Sequence, residues 1–174
     1  MAEPHRPFGP DDFRSALNVS RETLDRLGIY AELLQKWQKA INLVGKSTLP
    51  DLWRRHMLDS AQLLIHTART TGRWIDLGSE PSAGVTVHNC RIEDMEPLEA
   101  DIISARALAP LEKLLTLAEP FVRKDTELFF LKGQDVDEEL TIASKCWNME
   151  IKKLRSLTSE DGCILKISKL RRRS

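Results

Sequence analysis

Apolar residues recur every three or four positions in the first part of the chain: Leu24, Leu27, Ala31, Leu34 and Ile41. Ser20 precedes this stripe and is a typical N-cap residue, because its hydroxyl can accept a hydrogen bond from a backbone N–H in the first turn. The spacing predicts one amphipathic helix from Ser20 to near Asn42. Tyr30 and Trp37 widen the stripe, and we expect the Trp and Leu residues of this helix to be core residues rather than base-stacking platforms.

A second helix is predicted to follow, running from Thr48 to about His66. Thr48 can cap it, Pro50 suits the first turn, and Asp51 stands three residues after the cap. We therefore interpret residues 1–70 as a helical extension.

After Gly72 short apolar runs alternate with helical spacing. The runs predict strands at 74–78, 84–88, 101–104, 127–133, about 149–157 and 163–170, and the helical spacing predicts helices at 111–122 and 135–147. Strands that alternate with helices indicate a mostly parallel sheet, whereas the turn at 159–162 predicts an antiparallel hairpin at the end. Residues 71–174 are thus an α/β domain.

The first two predicted strands lie too close together for this pattern. Only Ser79–Ala83 separates them, whereas a parallel crossover needs at least about 10 residues. Either the two strands form an antiparallel hairpin, or a segment is missing near 79–83. We favour a missing segment, because the α/β alternation continues downstream.

Composition excludes several kinds of site. The 26 basic and 26 acidic residues balance, so binding to nucleic acid would depend on local patches such as the run from Lys169 to Arg173, which we expect to be a solvated tail. Three widely spaced cysteines predict reduced thiols and no metal site. Without an apolar run near the length of a bilayer, we expect a soluble cytoplasmic protein that makes no membrane contact.

Six short motifs occur in one order along the chain. They are Leu34-x-x-Trp37-x-x-x-Ile41-Asn42-Leu43, Arg55-His56-x-x-Asp59-Ser60, Asp76-Leu77-Gly78-Ser79, Arg91-Ile92-Glu93, Ser104-Ala105-Arg106-Ala107 and Leu131-Lys132-Gly133. Together they resemble the ribosomal RNA small-subunit methyltransferase G family, also called glucose-inhibited division protein B. The resemblance implies a Rossmann-like class I methyltransferase core and transfer of a methyl group from S-adenosylmethionine to guanine N7 in the 530-loop region of 16S rRNA.

The resemblance also implies a cofactor site on these motifs. The residues expected to bind S-adenosylmethionine are Asp76, Gly78, Ser79, Ile92, Glu93 and Arg106. Gly78 would let the backbone approach the cofactor, Ile92 and Glu93 would flank the adenine, and Arg106 would lie near the methionyl end or an RNA phosphate. From spacing alone, Arg106 could instead form a surface salt bridge, but its place at the carboxyl end of a predicted strand favours the binding site.

Residues expected to contact RNA lie in both halves of the chain: His56, Asp59, Lys132, Arg171 and Arg172, with Lys46, Arg54 and Arg55 as further candidates for phosphate contacts. His56 and Asp59 share a helix face, so they would border the RNA cleft or brace the helical extension, although spacing alone also fits an ordinary surface pair. We expect 16S rRNA or the small ribosomal subunit as the partner and a monomeric protein.

The chain departs from the family at the glycine loop. The family continues this loop with two further glycines and Phe-Pro-Gly, then a helix and a second strand whose terminal acidic residue binds the cofactor ribose, and none of this is present. A non-catalytic RNA-binding or ribosome-assembly protein is therefore an alternative. An NAD-dependent dehydrogenase is a weaker one, because the Gly-x-Gly-x-x-Gly pattern is absent.

Overall fold

The computed structural model describes residues 7–69, 71–78 and 85–173. The chain divides into two compact units, Met1–Ala68 and Arg69–Ser174. Within the described ranges, none of the helices is both long enough and apolar enough to span a membrane.

The first unit is helical. It contains α1 (Pro10–Leu17), α2 (Arg21–Trp37), a 3-10 helix (Lys46–Asp51), a π-helix (Trp53–Leu58), α3 (Asp59–Ala61) and a second 3-10 helix (Gln62–Ile65). The core of this unit is formed by Phe13, Ala31, Leu34, Leu52, Met57 and Leu58. The second helix predicted from Thr48 to about His66 is therefore not one α-helix but a succession of 3-10, π and α segments.

The ends of α2 follow from hydrogen bonds of two polar side chains. Ser20 Oγ accepts from Thr23 N at 3.1 Å, as expected of the N-cap. The predicted end at Asn42 was wrong, because the Gln38 side chain accepts from the backbone N–H groups of Leu43 and Val44, both at 2.9 Å. These bonds turn the chain immediately after Trp37.

Two aromatic residues of the predicted stripe are exposed, and one of them, Trp37, was expected in the core. Tyr30 is 48% exposed and Trp37 is 53% exposed, whereas Ala31 and Leu34 are buried. The buried face of α2 is thus narrower than the apolar stripe, and Trp37 stands at the end of the helix.

The second unit contains a five-stranded mixed sheet in the order β1-β2-β3-β5-β4. The strands are β1 (Trp74–Leu77), β2 (Ala100–Arg106), β3 (Val122–Lys132), β4 (Trp147–Arg155) and β5 (Cys163–Arg172). β1, β2 and β3 are parallel neighbours, and β5 pairs antiparallel with both β3 and β4. The helices are α4 (Leu111–Ala118) and α5 (Val136–Ala143), with short 3-10 helices at Ile92–Asp94 and Glu119–Phe121.

The central strands are apolar because they are covered by other elements. Ile103, Phe130, Leu165 and Leu115 are completely buried and belong to one core cluster. Burying such a side chain stabilises the fold by about 1.5 to 3 kcal/mol. This core fixes the strand ends on which the candidate site lies.

The predicted strand at 84–88 was wrong over its described part. Val85–His88 has no strand structure, and Val85 and Val87 are 53% and 39% exposed. β1 is the terminal strand of the sheet, so Val85–His88 does not pair with its free edge. Gly84 lies outside the described residues.

The C-terminal basic run was expected to be a solvated tail, but as far as Arg172 it forms part of a strand. Leu170, Arg171 and Arg172 belong to β5, where Arg172 lies opposite Trp147 and Arg171 opposite Asn148. Arg173 N also donates to Cys146 O at 2.8 Å. The ladder with β4 thus holds these residues in the sheet.

Candidate functional site

The carboxyl ends of three parallel strands form the candidate site. Asp76 of β1 lies opposite Ser104 of β2, and Arg106 at the end of β2 lies opposite Leu131 of β3. Asp76 and Arg106 are both exposed. In open α/β sheets, ligands bind outside the carboxyl ends of the strands, so the sheet places these two predicted residues at the edge expected to bind a ligand.

A chain of hydrogen bonds orients the Asp76 carboxylate. Trp74 Nε1 donates to Ser104 Oγ at 2.8 Å, and Ser104 Oγ donates to Asp76 Oδ1. Ser104 is buried, so its hydroxyl has a fixed donor and a fixed acceptor. Trp74 was not among the site residues predicted from the sequence, although Trp74 and Asp76 are two residues apart in a strand and therefore share a face.

Gly78 follows β1 in a conformation that favours glycine. Its φ is +87°, and an added Cβ would lie 3.4 Å from Leu108 Cδ1. Ala107 also has a positive φ, +51°, in the loop after β2. The two loops therefore meet at the strand ends through Gly78 and Leu108. Leu108 carried no sequence signal, and the predicted Ser79 lies outside the described residues.

Ile92 and Glu93 form a short 3-10 helix with Asp94. Ile92 is half-buried and packs against the core of the second unit. Lys113 Nζ of α4 lies 3.1 Å from Glu93 Oε1. A hydrogen bond from its own backbone N–H, and then the Lys113 ammonium, hold the pKa of the Glu93 carboxyl below its usual range. Glu93 is thus ionised at neutral pH.

Lys132 is nearly buried at the end of β3. Its side chain is 8% exposed and its ammonium lies 2.6 Å from Glu139 Oε2. The same ammonium donates to Ala109 O at 3.0 Å, and Glu139 Oε2 accepts from Leu111 N at 2.7 Å. Leu111 N is one of the first amides of α4, which lack partners inside the helix. Lys132 and Glu139 thus join β3, α5 and the start of α4, and the phosphate contact predicted for Lys132 stays a prediction.

In the first unit, His56 and Asp59 hold neighbouring parts of the chain. His56 Nε2 lies 2.7 Å from Thr48 Oγ1, whose proton is donated to Gly45 O at 2.7 Å. Thr48 Oγ1 therefore accepts from the imidazole. Asp59 Oδ1 accepts from Gln62 Nε2 at 3.1 Å. Both predicted residues are half-buried, and Thr48 braces a turn instead of capping a helix.

Arg171 and Arg172 differ in what they contact. Arg172 forms a bidentate pair with Glu119 at 2.7 to 2.9 Å, and its guanidinium lies 4.9 Å from the centre of the Trp147 ring. Arg171 lines a hollow of about 360 Å³ with Lys124 and Lys169. Of the two, Arg171 is the better placed for a phosphate contact.

Known sequences resemble this chain over most of its length. The sequence model of the family GidB, rRNA small subunit methyltransferase G, matches residues 23–84 and 80–164. Proteins called "Ribosomal RNA small subunit methyltransferase G" from Paramagnetospirillum magneticum and Parvibaculum lavamentivorans are each 40% identical, and the alignments cover 95% and 90% of this chain and 98% and 88% of the relatives. The protein of that name from Rhodospirillum rubrum is 36% identical, over 94% of this chain and 98% of its own.

The same alignments show that this chain is shorter than its relatives. The alignment with the Paramagnetospirillum protein has 202 positions and the chain has 174 residues, so at least 28 positions have no residue in this chain. The two stretches that match the family meet at residues 80–84. On these matches, the chain belongs to the rRNA small subunit methyltransferase G family.

Proposed function

We propose that this protein is a class I methyltransferase that transfers the methyl group of S-adenosylmethionine to guanine N7 in the 530-loop region of 16S rRNA. The observation that carries the proposal is the convergence of Asp76, Gly78 and Arg106 at the carboxyl ends of parallel strands, in a member of this family. We further propose that it acts in the cytoplasm, as a monomer, on 16S rRNA or the small ribosomal subunit.

The described residues fit part of the cofactor. Gly78, with its positive φ, allows close backbone approach, and Asp76 presents an oriented carboxylate beside it. Ile92 supplies apolar surface for an adenine, and Glu93 an acceptor beside it. Arg106 offers a guanidinium for the methionyl carboxylate or an RNA phosphate. When bound, S-adenosylmethionine would supply the methyl group from its positively charged sulfonium, with a neutral thioether as the leaving group.

The protein's own task in this reaction is positioning. Guanine N7 has a free lone pair and no proton, so its methylation requires no general base. Correct placement of two reactants can account for a large part of such a barrier. We therefore propose no general base among the site residues.

The test uses the full chain with methyl-labelled S-adenosylmethionine and small subunits from a strain that lacks this modification. We expect label in 7-methylguanosine after nuclease digestion, and at least tenfold less with Asp76→Ala. Lys145→Gln, an exposed substitution in the same unit, should match the unmodified protein. Label in another nucleoside would overturn the N7 assignment.

A second candidate function is favoured by the length of the chain. At least 28 aligned positions are missing, and we infer that they fall at residues 79–84, where the two family matches meet. The lost segment would include loop amides and the ribose-binding carboxylate implied by the family resemblance. The protein would then bind ribosomal RNA without catalysis.

Cofactor binding separates the two functions. Calorimetric titration with S-adenosylhomocysteine should give binding if the first proposal holds and none if the second holds. A chimera that carries the segment of the Paramagnetospirillum relative between Gly78 and Val85 provides the control. If it binds the cofactor and the natural chain does not, the missing segment accounts for the loss. Failure of both chains to bind RNA would refute both functions.

A further inference from the structure

The first unit has a cleft that the cofactor site does not use. Its volume is about 750 Å³, and its polar lining consists of Gln35, Gln38, Lys39, Asn42 and Lys46. The other lining residues are apolar, so no carboxylate lines the cleft. α2 forms one side, and the turn and 3-10 helix that follow it form the other.

The charge around this cleft is one-sided. Between Glu32 and Asp51 the sequence contains three lysines and no acidic residue, although the whole chain has no net charge. Lys39 and Lys46 are exposed, and within the described part of the chain neither of them forms an ion pair. Their charges are therefore available to a ligand.

The walls of the cleft are fixed by internal hydrogen bonds. The buried Gln38 side chain accepts from Leu43 N and Val44 N and donates to Val44 O at 2.8 Å. On the other side of the cleft, Thr48 Oγ1 donates a hydrogen bond to Gly45 O and accepts one from His56 Nε2. A wall held in place before binding loses little conformational freedom when a ligand binds.

We propose that this cleft binds phosphates of the RNA substrate through Lys39 and Lys46, with the Asn42 and Gln35 amides as further hydrogen-bond donors. The proposal rests on the proposed function, because RNA is the substrate named there. The half-exposed Trp37 ends the helix that forms one wall, and an exposed indole favours a nucleic acid over a simple anion, since bases stack on aromatic rings. His56 would then affect RNA binding indirectly, because its imidazole holds Thr48 in the 3-10 helix that forms one side of the cleft.

The test measures binding to transcribed 16S rRNA as a function of salt. The plot of log K against log salt has a negative slope, and for single-stranded RNA each lost phosphate contact reduces the magnitude of this slope by about 0.7. Lys39→Gln/Lys46→Gln should therefore lower the slope by about 1.4, so the loss of affinity between about 50 and 200 mM salt becomes about sevenfold smaller. Lys145→Gln/Lys152→Gln removes the same charge from exposed positions of the second unit and should leave the slope unchanged.

Four outcomes would overturn the proposal. If both double variants lower the slope equally, the effect is general charge and the cleft has no special role. If neither lowers it while the unmodified protein binds RNA, the cleft is not the RNA site, although the proposed function survives. If the unmodified protein binds neither 16S rRNA nor the small ribosomal subunit, both fail together. A titration with inorganic phosphate should show no saturable binding, since saturation would indicate a small-anion site instead.

Discussion

Removing the buried ammonium of Lys132 should strongly destabilise the second unit. Its side chain is 8% exposed, and its partner Glu139 is 24% exposed. Removing one partner of a buried ion pair costs about 3 to 5 kcal/mol, because the other charge is left without compensation. Glu139 keeps its bond from Leu111 N, so we expect Lys132→Met to cost about 3 kcal/mol, the lower end of that range.

Urea unfolding of a double-mutant cycle measures this contribution. Glu139→Gln alone and together with Lys132→Met completes the cycle, and we expect a coupling of about 1 to 2 kcal/mol, since the two residues share one network. Lys153→Met is the matched control, because Lys153 Nζ also pairs with a carboxylate of α5, Asp137, at 2.7 Å, but with side chains 43% and 81% exposed. Such exposed pairs contribute less than about 1 kcal/mol.

A small cost for Lys132→Met would refute this reasoning. If the two lysine variants lose the same free energy of unfolding, the Lys132 ammonium is not structural. The RNA contact predicted from the sequence would then become the better interpretation of Lys132.

Three further predictions concern the second unit. Gly72→Ala should lower the free energy of unfolding in urea by about 2 to 3 kcal/mol. Gly72 has φ +125°, and an added Cβ would lie 2.6 Å from Asp101 Oδ2. Gly28→Ala is the control: Gly28 lies on α2 with open space around it, so this variant should be more stable by up to about 1 kcal/mol. Asp101→Asn should cost about 2 kcal/mol by the same measurement, since its carboxylate accepts from Arg73 N and pairs with two arginines, and an unchanged midpoint would contradict this. Burial raises the pKa of the Cys163 thiol, so less of the reactive thiolate is present near neutral pH. Iodoacetamide should therefore modify Cys163 more slowly than the exposed Cys90 and Cys146, and this difference in rate should narrow as the pH rises. Equal modification rates, measured by peptide mass spectrometry, would exclude a protected thiol at Cys163.

The sequence predicted those parts of the fold that depend on local pattern. The apolar run around Ile103 forms a strand because both of its faces are covered, and the Asp76–Gly78 motif ends a strand because glycine permits the positive φ that follows. Ser20 caps its helix through a bond three residues away. Such features involve short sequence separations, so periodicity and capping rules suffice to find them.

Features that join distant parts of the chain had no such signal. Glu139 caps α4 from 28 positions away, and nothing in its neighbourhood distinguishes it from other acidic residues of α5. Gln38 ends α2 with its side chain, although an amide in a helical pattern usually faces solvent. In both cases the partner, not the residue type, decides the structure, and the partner is known only after folding.

The wrong prediction at Val85–His88 has the same origin and bears on function. Alternating apolar residues form a strand only where a neighbouring strand can complete their hydrogen bonds, and β1 is the terminal strand of this sheet. The missing positions that we infer at 79–84 would have supplied the family's second strand, so one loss accounts both for the exposed valines and for the absent ribose carboxylate. The chimera that restores the segment should therefore bury Val85 and Val87 as well as bind the cofactor, which hydrogen exchange of their amides can show. Cofactor binding without this protection would mean that the two effects have separate causes.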